Sequence, residues 1–221
     1  FVSRAEDMVV YRLCAESATE SKELLEYRLE LEAFRNEGEP ANDAIQAVWR
    51  DAQTEAVCEN EHTGYLYFNS NRAQKDARYT DFGAVARISI ADGCLECFEN
   101  KIKVRAADQV LITIGLYVNE EKQGAWQRLH DRLESRTRSF EELLADSSAL
   151  HEALYHSAKL HLGGSENQVT WSRTNEELVT EAFAEKQSPE LIEKLWHYGR
   201  YLFICGSSPT ANPFPLYGLW G

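Results

Sequence analysis

Two hydrophobic periods divide this chain. In the first half, apolar residues alternate with polar ones or form short unbroken runs. Met8–Cys14 (MVVYRLC) is such a run, and Leu25, Tyr27, Leu29, Leu31 and Ala33 alternate with Glu26, Arg28, Glu30 and Glu32. A period of two marks a strand with one wet face. Tyr65–Phe68 reads as a further strand. Ala84, Ala86, Ile88 and Ile90 alternate with Val85, Arg87 and Ser89, and Asp92-Gly93 supplies a turn into Cys94–Glu99, so this stretch reads as a hairpin. Lys101–Arg105 is a shorter strand. Gln109–Val118 (QVLITIGLYV) is nearly all apolar and suits a strand buried on both faces. Between the second and third of these strands lies a long acidic excursion over residues 36–60, with room for a short helix at Ala44–Trp49.

After Val118 the period lengthens to that of a helix. Trp126, Leu129 and Leu133 lie at helical spacing, and Phe140, Leu143, Leu144, Leu150, Ala153, Leu154 and Ser157 continue it until Gly163-Gly164. Thr174-Asn175-Glu176-Glu177 fits a capping box, so a helix should run from there to about Lys186. Ser188-Pro189 offers an N-cap and a proline at the first helical position. The helix that follows, Glu190–Ile204, is apolar on most sides, which predicts burial on most sides. Leu191, Leu195, Tyr198 and Leu202 are expected to form its packed face, leaving Trp196 and Phe203, with Phe214 beyond the helix, toward water. From Cys205 to Gly221 the chain is rich in proline, glycine and aromatic residues and reads as an irregular loop. The fold class is therefore α+β.

Composition narrows the function. The chain has 221 residues and a formal charge of −13. Such a chain is repelled by phosphate backbones and anionic lipid, so neither nucleic acid nor a membrane surface is an expected partner; a neutral ligand such as a sugar meets no such penalty. No run of apolar residues is long enough to span a bilayer. Phe1–Asp7 lacks the features of a signal peptide, although a signal upstream of Phe1 stays open. The five cysteines leave at least one unpaired. They read as small core or surface thiols, leaning toward a reducing compartment. Cys94-Leu95-Glu96-Cys97 has metal-ligand spacing without a second pair, and His130, His151, His156, His161 and His197 are scattered. A zinc site needs converging ligands, so neither a metal nor a cofactor is expected. No phosphate-binding loop, dinucleotide fingerprint, G-x-S-x-G or H-E-x-x-H occurs.

The last quarter carries a more specific signal. Lys194–Ile204 (KLWHYGRYLFI), then Ser207-Ser208-Pro209, then Leu216-Tyr217-Gly218-Leu219-Trp220 resembles the first barrel helix and following loop of family 95 glycoside hydrolases. Leu160-His161-Leu162-Gly163 and the helix before it resemble that family's connecting segment, and Phe1–Leu13 resembles a strand late in its sandwich domain. The resemblance implies the C-terminal part of a β-supersandwich domain over residues 1–119, a helical linker over 120–165, and the first helices of an (α/α)6 catalytic barrel over 166–221.

The resemblance also implies activity. Such enzymes hydrolyse α-L-fucosyl or α-L-galactosyl bonds with inversion, which takes a general acid and a base that activates water on the opposite face. In the family the acid is a Glu deep in the barrel and the base an Asn polarised by an Asp, both beyond the Leu-x-Gly-x-Trp loop. No catalytic residue is therefore expected within residues 1–221, and the chain alone is expected to be inactive. Trp220 and Tyr217 sit in the loop nearest the implied active site. Their rings suit the C–H faces of a sugar, so these two are the expected substrate-binding residues. The family's loop reads Ala-Asn-Leu-Gln-Gly-Ile-Trp-Asn, whereas Phe214–Gly221 replaces three of its polar side chains. The implied partners are an oligosaccharide or glycan substrate and the remainder of the same polypeptide. Two alternatives remain: a non-catalytic carbohydrate-binding or docking module, and a phosphorylase on the same architecture. Arg200, inside an apolar helix, must find a carboxylate or carbonyls and reads as a structural strut.

Overall fold

The computed structural model describes residues 1–15, 24–32, 52–71, 81–136, 138–162, 173–184 and 188–207. These form two compact units, Phe1–Ser147 and Ser148–Gly221. The expected helix at Ala44–Trp49 and the Gly163-Gly164 stop lie outside the described residues.

The first unit is built on two antiparallel sheets. Its strands are β1 (Val2–Ser3), β2 (Met8–Cys14), β3 (Leu25–Leu29), β4 (Gln53–Cys58), β5 (Thr63–Asn71), β6 (Asp81–Ile90), β7 (Cys94–Phe98), β8 (Lys101–Ala107) and β9 (Gln109–Val118). The larger sheet runs β1-β2-β9-β6-β5-β4 and the smaller β3-β8-β7. Alternation along the strands divides the core in two. Leu66, Ala86, Ile88, Ile90 and Val110 from the larger sheet meet Leu25, Leu95, Ile102, Val104 and Ala107 from the smaller one. The opposite face of the larger sheet carries Met8, Val10, Tyr65, Val85 and Tyr117, which pack against the helix α1 (Lys122–Glu134) through Ala125, Trp126, Leu129 and Leu133. Leu129 and Leu133 are essentially solvent-free, and full burial of each contributes about 1.5–3 kcal/mol. Gly115 on β9 makes room for this helix, since a Cβ there would come within 2.7 Å of Leu129 Cδ2.

Three expectations need correction. The first is the hairpin at Asp92-Gly93. The turn exists, with Gly93 at a φ of +77°, but β6 and β7 do not pair. Both edges of β6 are already hydrogen-bonded, to β5 and β9, so the chain crosses to the other sheet and β7 pairs with β8 instead. Second, β9 is covered on both faces only in part. Leu116 and Val118 are exposed, because they continue the face of Val110, Ile112 and Ile114 past the part that the smaller sheet covers, whereas Tyr117 on the opposite face stays buried. Third, Cys58 and Cys97 are not isolated thiols. They form a disulfide with a Cα–Cα distance of 5.8 Å, tying the end of β4 to β7. Cys14, Cys94 and Cys205 are free. The disulfide removes the ground for preferring a reducing compartment.

The acidic excursion also hides a strand. In β4 alternate residues are half-buried, and Ala56 and Cys58 face the core between the sheets. Helix α2 (Phe140–Tyr155) starts with a capping box of its own. Glu142 N–H donates to Ser139 Oγ at 3.2 Å, and Ser139 N–H donates to the Glu142 carboxylate at 2.8 Å. The boundary between the two units falls inside this helix.

The second unit holds the end of α2, α3 (Asn175–Phe183) and α4 (Pro189–Cys205). The expected capping box opens α3: Thr174 Oγ1 accepts from Glu177 N–H at 3.2 Å, and the Glu177 carboxylate accepts from Thr174 N–H at 2.8 Å. Ser188 caps α4, with Pro189 in its first turn. No helix among the described residues is long and apolar enough to cross a membrane.

The packed face of α4 differs from the expected one. Leu195 and Tyr198 are 60% and 61% exposed, whereas Glu193 and Ile204 are buried. The inward stripe is Glu193, His197, Arg200 and Ile204, which recur at helical spacing. Because the helix is apolar nearly all round, hydrophobicity does not select a face. The polar members of this stripe do, since each finds a partner within the unit. Trp196 is half-buried, and Phe203 is exposed as expected.

Candidate functional site

A groove of about 580 Å³ in the second unit lies along α2 and α4. It is lined by His151, Glu152 and Tyr155 of α2, Asn175 at the start of α3, and Lys194, His197, Tyr198 and Tyr201 of α4. His151 and Tyr155 are one turn apart, as are Lys194 with Tyr198 and His197 with Tyr201. Each pair therefore presents two side chains on one helical face.

The groove is held by polar contacts at its floor. The Tyr155 hydroxyl lies 2.8 Å from His197 Nδ1, and the two rings are tilted with centroids 5.8 Å apart. His151 stacks on Tyr155 at 6.0 Å and meets Tyr201 at 5.5 Å. Trp196 sets its ring edge-on to His197 at 5.0 Å. Arg200 ties the end of α2 to α4. It donates through Nε to the Tyr155 carbonyl at 3.1 Å, and through one terminal nitrogen to the Leu154 carbonyl and to Ser157 Oγ at 2.7 Å. The guanidinium thus supplies a donor to the Tyr155 carbonyl at the helix end and shares the Leu154 carbonyl with the Ser157 hydroxyl, which is the strut expected of it. Glu193, buried in α4, accepts from the Leu162 N–H, pinning the Leu160-His161-Leu162 exit to the helix.

Charge at the near end of the groove is organised around Arg173. Its guanidinium binds Glu190 at 2.9 Å and Glu181 at 2.6 Å. That hydrogen bond holds the Glu190 carboxyl below its usual pKa. Lys194 Nζ donates to the Arg173 carbonyl at 2.6 Å and lies 3.7 Å from Glu190. At the far end the Tyr201 phenol is held above its usual value, first by its hydrogen bond with Cys205.

This arrangement suits binding rather than bond cleavage. Imidazoles, phenols, an amide and an ammonium can hydrogen-bond to hydroxyl groups, and the tyrosine faces can meet C–H surfaces. Among the described lining residues Glu152 is the one carboxylate, whereas glycoside hydrolysis takes two catalytic groups flanking the bond. The expected sugar contacts Tyr217 and Trp220 lie outside the described residues, as does Phe214. The groove itself went unread in the sequence. Its signal was the one-turn spacing of histidine and tyrosine on two helices.

Comparison with known proteins bears on this region. Residues 139–221 match the model of the glycosyl hydrolase family 95 catalytic domain. Over 83 residues, 37% of this chain, the sequence is 34% identical to alpha-L-fucosidase 2 of Arabidopsis thaliana. The matched segment spans about 10% of that relative's length. The family match begins just ahead of α2 and takes in α3, α4 and all the residues that line the groove. It is residues 139–221, the stretch that holds the Tyr155–His197 contact and the Arg200 strut, that are similar to the catalytic domain of glycosyl hydrolase family 95.

Proposed function

We propose that this chain is part of an inverting glycoside hydrolase that cleaves terminal α-L-fucosyl or α-L-galactosyl bonds. The observation that carries the proposal is the family 95 match over residues 139–221, joined by identity to a protein named for fucosidase activity. In this reading residues 1–119 are the C-terminal part of a β-supersandwich domain, residues 120–165 a helical linker, and residues 166–221 the start of an (α/α)6 barrel. The two antiparallel sheets packed face to face support the first assignment. The exposure of Leu195, Tyr198 and Phe203 on α4 supports the last, because a barrel helix packs against neighbours on both sides.

Trp220 and Tyr217 would then contact the sugar, and the catalytic acid and base would come from sequence that follows the Leu216–Trp220 loop in relatives. The glycan substrate and the remainder of the same polypeptide are the partners this implies. The test is turnover of aryl α-L-fucoside and α-L-galactoside. Residues 1–221 alone should show none. The same residues joined to the rest of a family 95 catalytic domain should release the sugar first as its β-anomer, seen by proton NMR. Turnover by the chain alone would overturn the placement of the catalytic groups, and release of the α-anomer would overturn inversion.

A further inference from the structure

On the sandwich side of the molecule, three side chains distant in sequence converge outside any site described above. Glu59 follows β4, next to the disulfide-bonded Cys58, in a turn closed by its N–H donating to the Thr63 carbonyl at 3.0 Å. His130 and Glu134 lie one turn apart on α1. Their ligand atoms all fall within 4.8 Å of one another. His130 Nε2 is 3.5 Å from Glu59 Oε1 and 3.9 Å from Glu134 Oε2.

We propose that Glu59, His130 and Glu134 form a binding site for a divalent transition-metal ion of the zinc type, which clamps the β4–β5 turn to helix α1. The donor set, one imidazole and two carboxylates, is of the kind such ions take with water in the remaining position. Bonds of about 2.0–2.2 Å in a tetrahedron set ligand atoms roughly 3.3–3.6 Å apart. The Glu59 separation already fits. The Glu134 side chain, 60% exposed, is free to move in to the remaining position.

Two neighbouring phenols set the site apart from an ordinary acidic surface. The Tyr67 hydroxyl lies 2.7 Å from His130 Nδ1. When it accepts the Nδ1 proton it leaves the Nε2 lone pair toward the two carboxylates, the outer hydrogen bond that metal-binding histidines use. Tyr65 is fully buried, and its ring lies against the imidazole with centroids 4.2 Å apart. Cys58–Cys97 fixes the chain beside Glu59, and His130 packs against Tyr65 and Tyr67, so the backbone at Glu59 and the imidazole are held before any ion arrives. The site is independent of the hydrolase reading.

The experiment is calorimetric titration of the chelator-treated full chain with zinc chloride, alongside thermal melting. One ion should bind per chain and raise the melting temperature. Glu59→Gln and Glu134→Gln should each weaken binding at least about tenfold, and Tyr67→Phe, which removes only the outer hydrogen bond, about 10-fold or more. His161→Gln should change nothing. Substoichiometric zinc should shift the His130 imidazole NMR signals before those of the other histidines. Zinc taken up by the free thiols would survive the glutamate changes. Binding unaffected by Glu134→Gln, a substitution at an exposed position that should leave the fold intact, or the absence of saturable binding, would overturn the site and leave an imidazole between two carboxylates.

Discussion

The Tyr155 hydroxyl meets His197 Nδ1 at 2.8 Å, and this contact joins the end of α2 to the middle of α4. It sits one helical turn from Arg200 and one from Glu193, which also bind backbone or side-chain groups outside α4. Together these polar side chains fix which way α4 faces.

Arg200 should be the most sensitive of the three. Its planar fork reaches the carbonyls of Leu154 and Tyr155 and the Ser157 hydroxyl together. A lysine offers one point of donation and cannot span them. Arg200→Lys is expected to cost about 1 kcal/mol, the net contribution of a typical hydrogen bond, since the Leu154 carbonyl keeps the Ser157 hydroxyl as a donor, with Arg200→Ala no better tolerated. Chemical denaturation checks this. Equal stability of Arg200→Lys and wild type would show that the fork geometry does not matter.

The two capping boxes predict a matched pair of effects. Thr174→Ala and Ser139→Ala each remove an acceptor for a helix-start N–H and should cost about 1 kcal/mol apiece. Each should be non-additive with its own partner, Glu177→Ala or Glu142→Ala, because the two bonds of a box form together. Across the two boxes the effects should add. Double-mutant cycles by urea unfolding measure both.

Acid should destabilise the chain through named carboxylates. Glu121 is held below its usual pKa by the N–H groups of Gly124 and Gln123, Glu142 by the N–H of Ser139, and Glu190 by Arg173. A carboxyl depressed in the folded state contributes stability above its unfolded pKa of about 4.3. That contribution is lost as pH falls through the lower folded value, where both states are protonated. Stability should therefore drop between about pH 5 and pH 3. Glu121→Gln, Glu142→Gln and Glu190→Gln should each flatten the slope while lowering stability at neutral pH. A slope unchanged in the triple variant would assign acid sensitivity elsewhere.

Much of the sandwich was legible because alternation reports which face of a strand is buried. Met8–Cys14 was read with its observed boundaries. Alternation says nothing about which strand lies alongside, so β6 and β7 looked like a hairpin although β6 had neighbours on both edges. β4 escaped because it lies at an edge within an acidic segment, with only Ala56 and Cys58 turned to the core. The caps were legible because they depend on residues three apart. The rotation of α4 was not, because a helix apolar on most sides gives no stripe to follow and its orientation was settled by Glu193, His197 and Arg200. The convergence of Glu59 with His130 needed the fold, since the two belong to different elements of the sandwich.

The exposed face of α4 makes the last prediction. Ile192, Leu195, Tyr198, Tyr201 and Phe203 are each more than 40% exposed on one helix, and contiguous apolar surface of this kind promotes association. Leu195 and Phe203 are 60% and 56% exposed, so replacing these two removes little folded-state contact. Leu195→Glu with Phe203→Lys should change folding stability by no more than about 0.5 kcal/mol, as for ordinary surface substitutions. The same pair should lower self-association of the chain, seen as a shift toward monomer in sedimentation velocity. If instead these residues pack against further helices of a catalytic barrel, as proposed, the pair should be strongly destabilising once those helices are present. A loss of about 3 kcal/mol or more, from burying unpaired charge at a packed interface, would distinguish the two settings. Equal tolerance in both would mean that nothing covers this face, and the barrel assignment of residues 166–221 would fail.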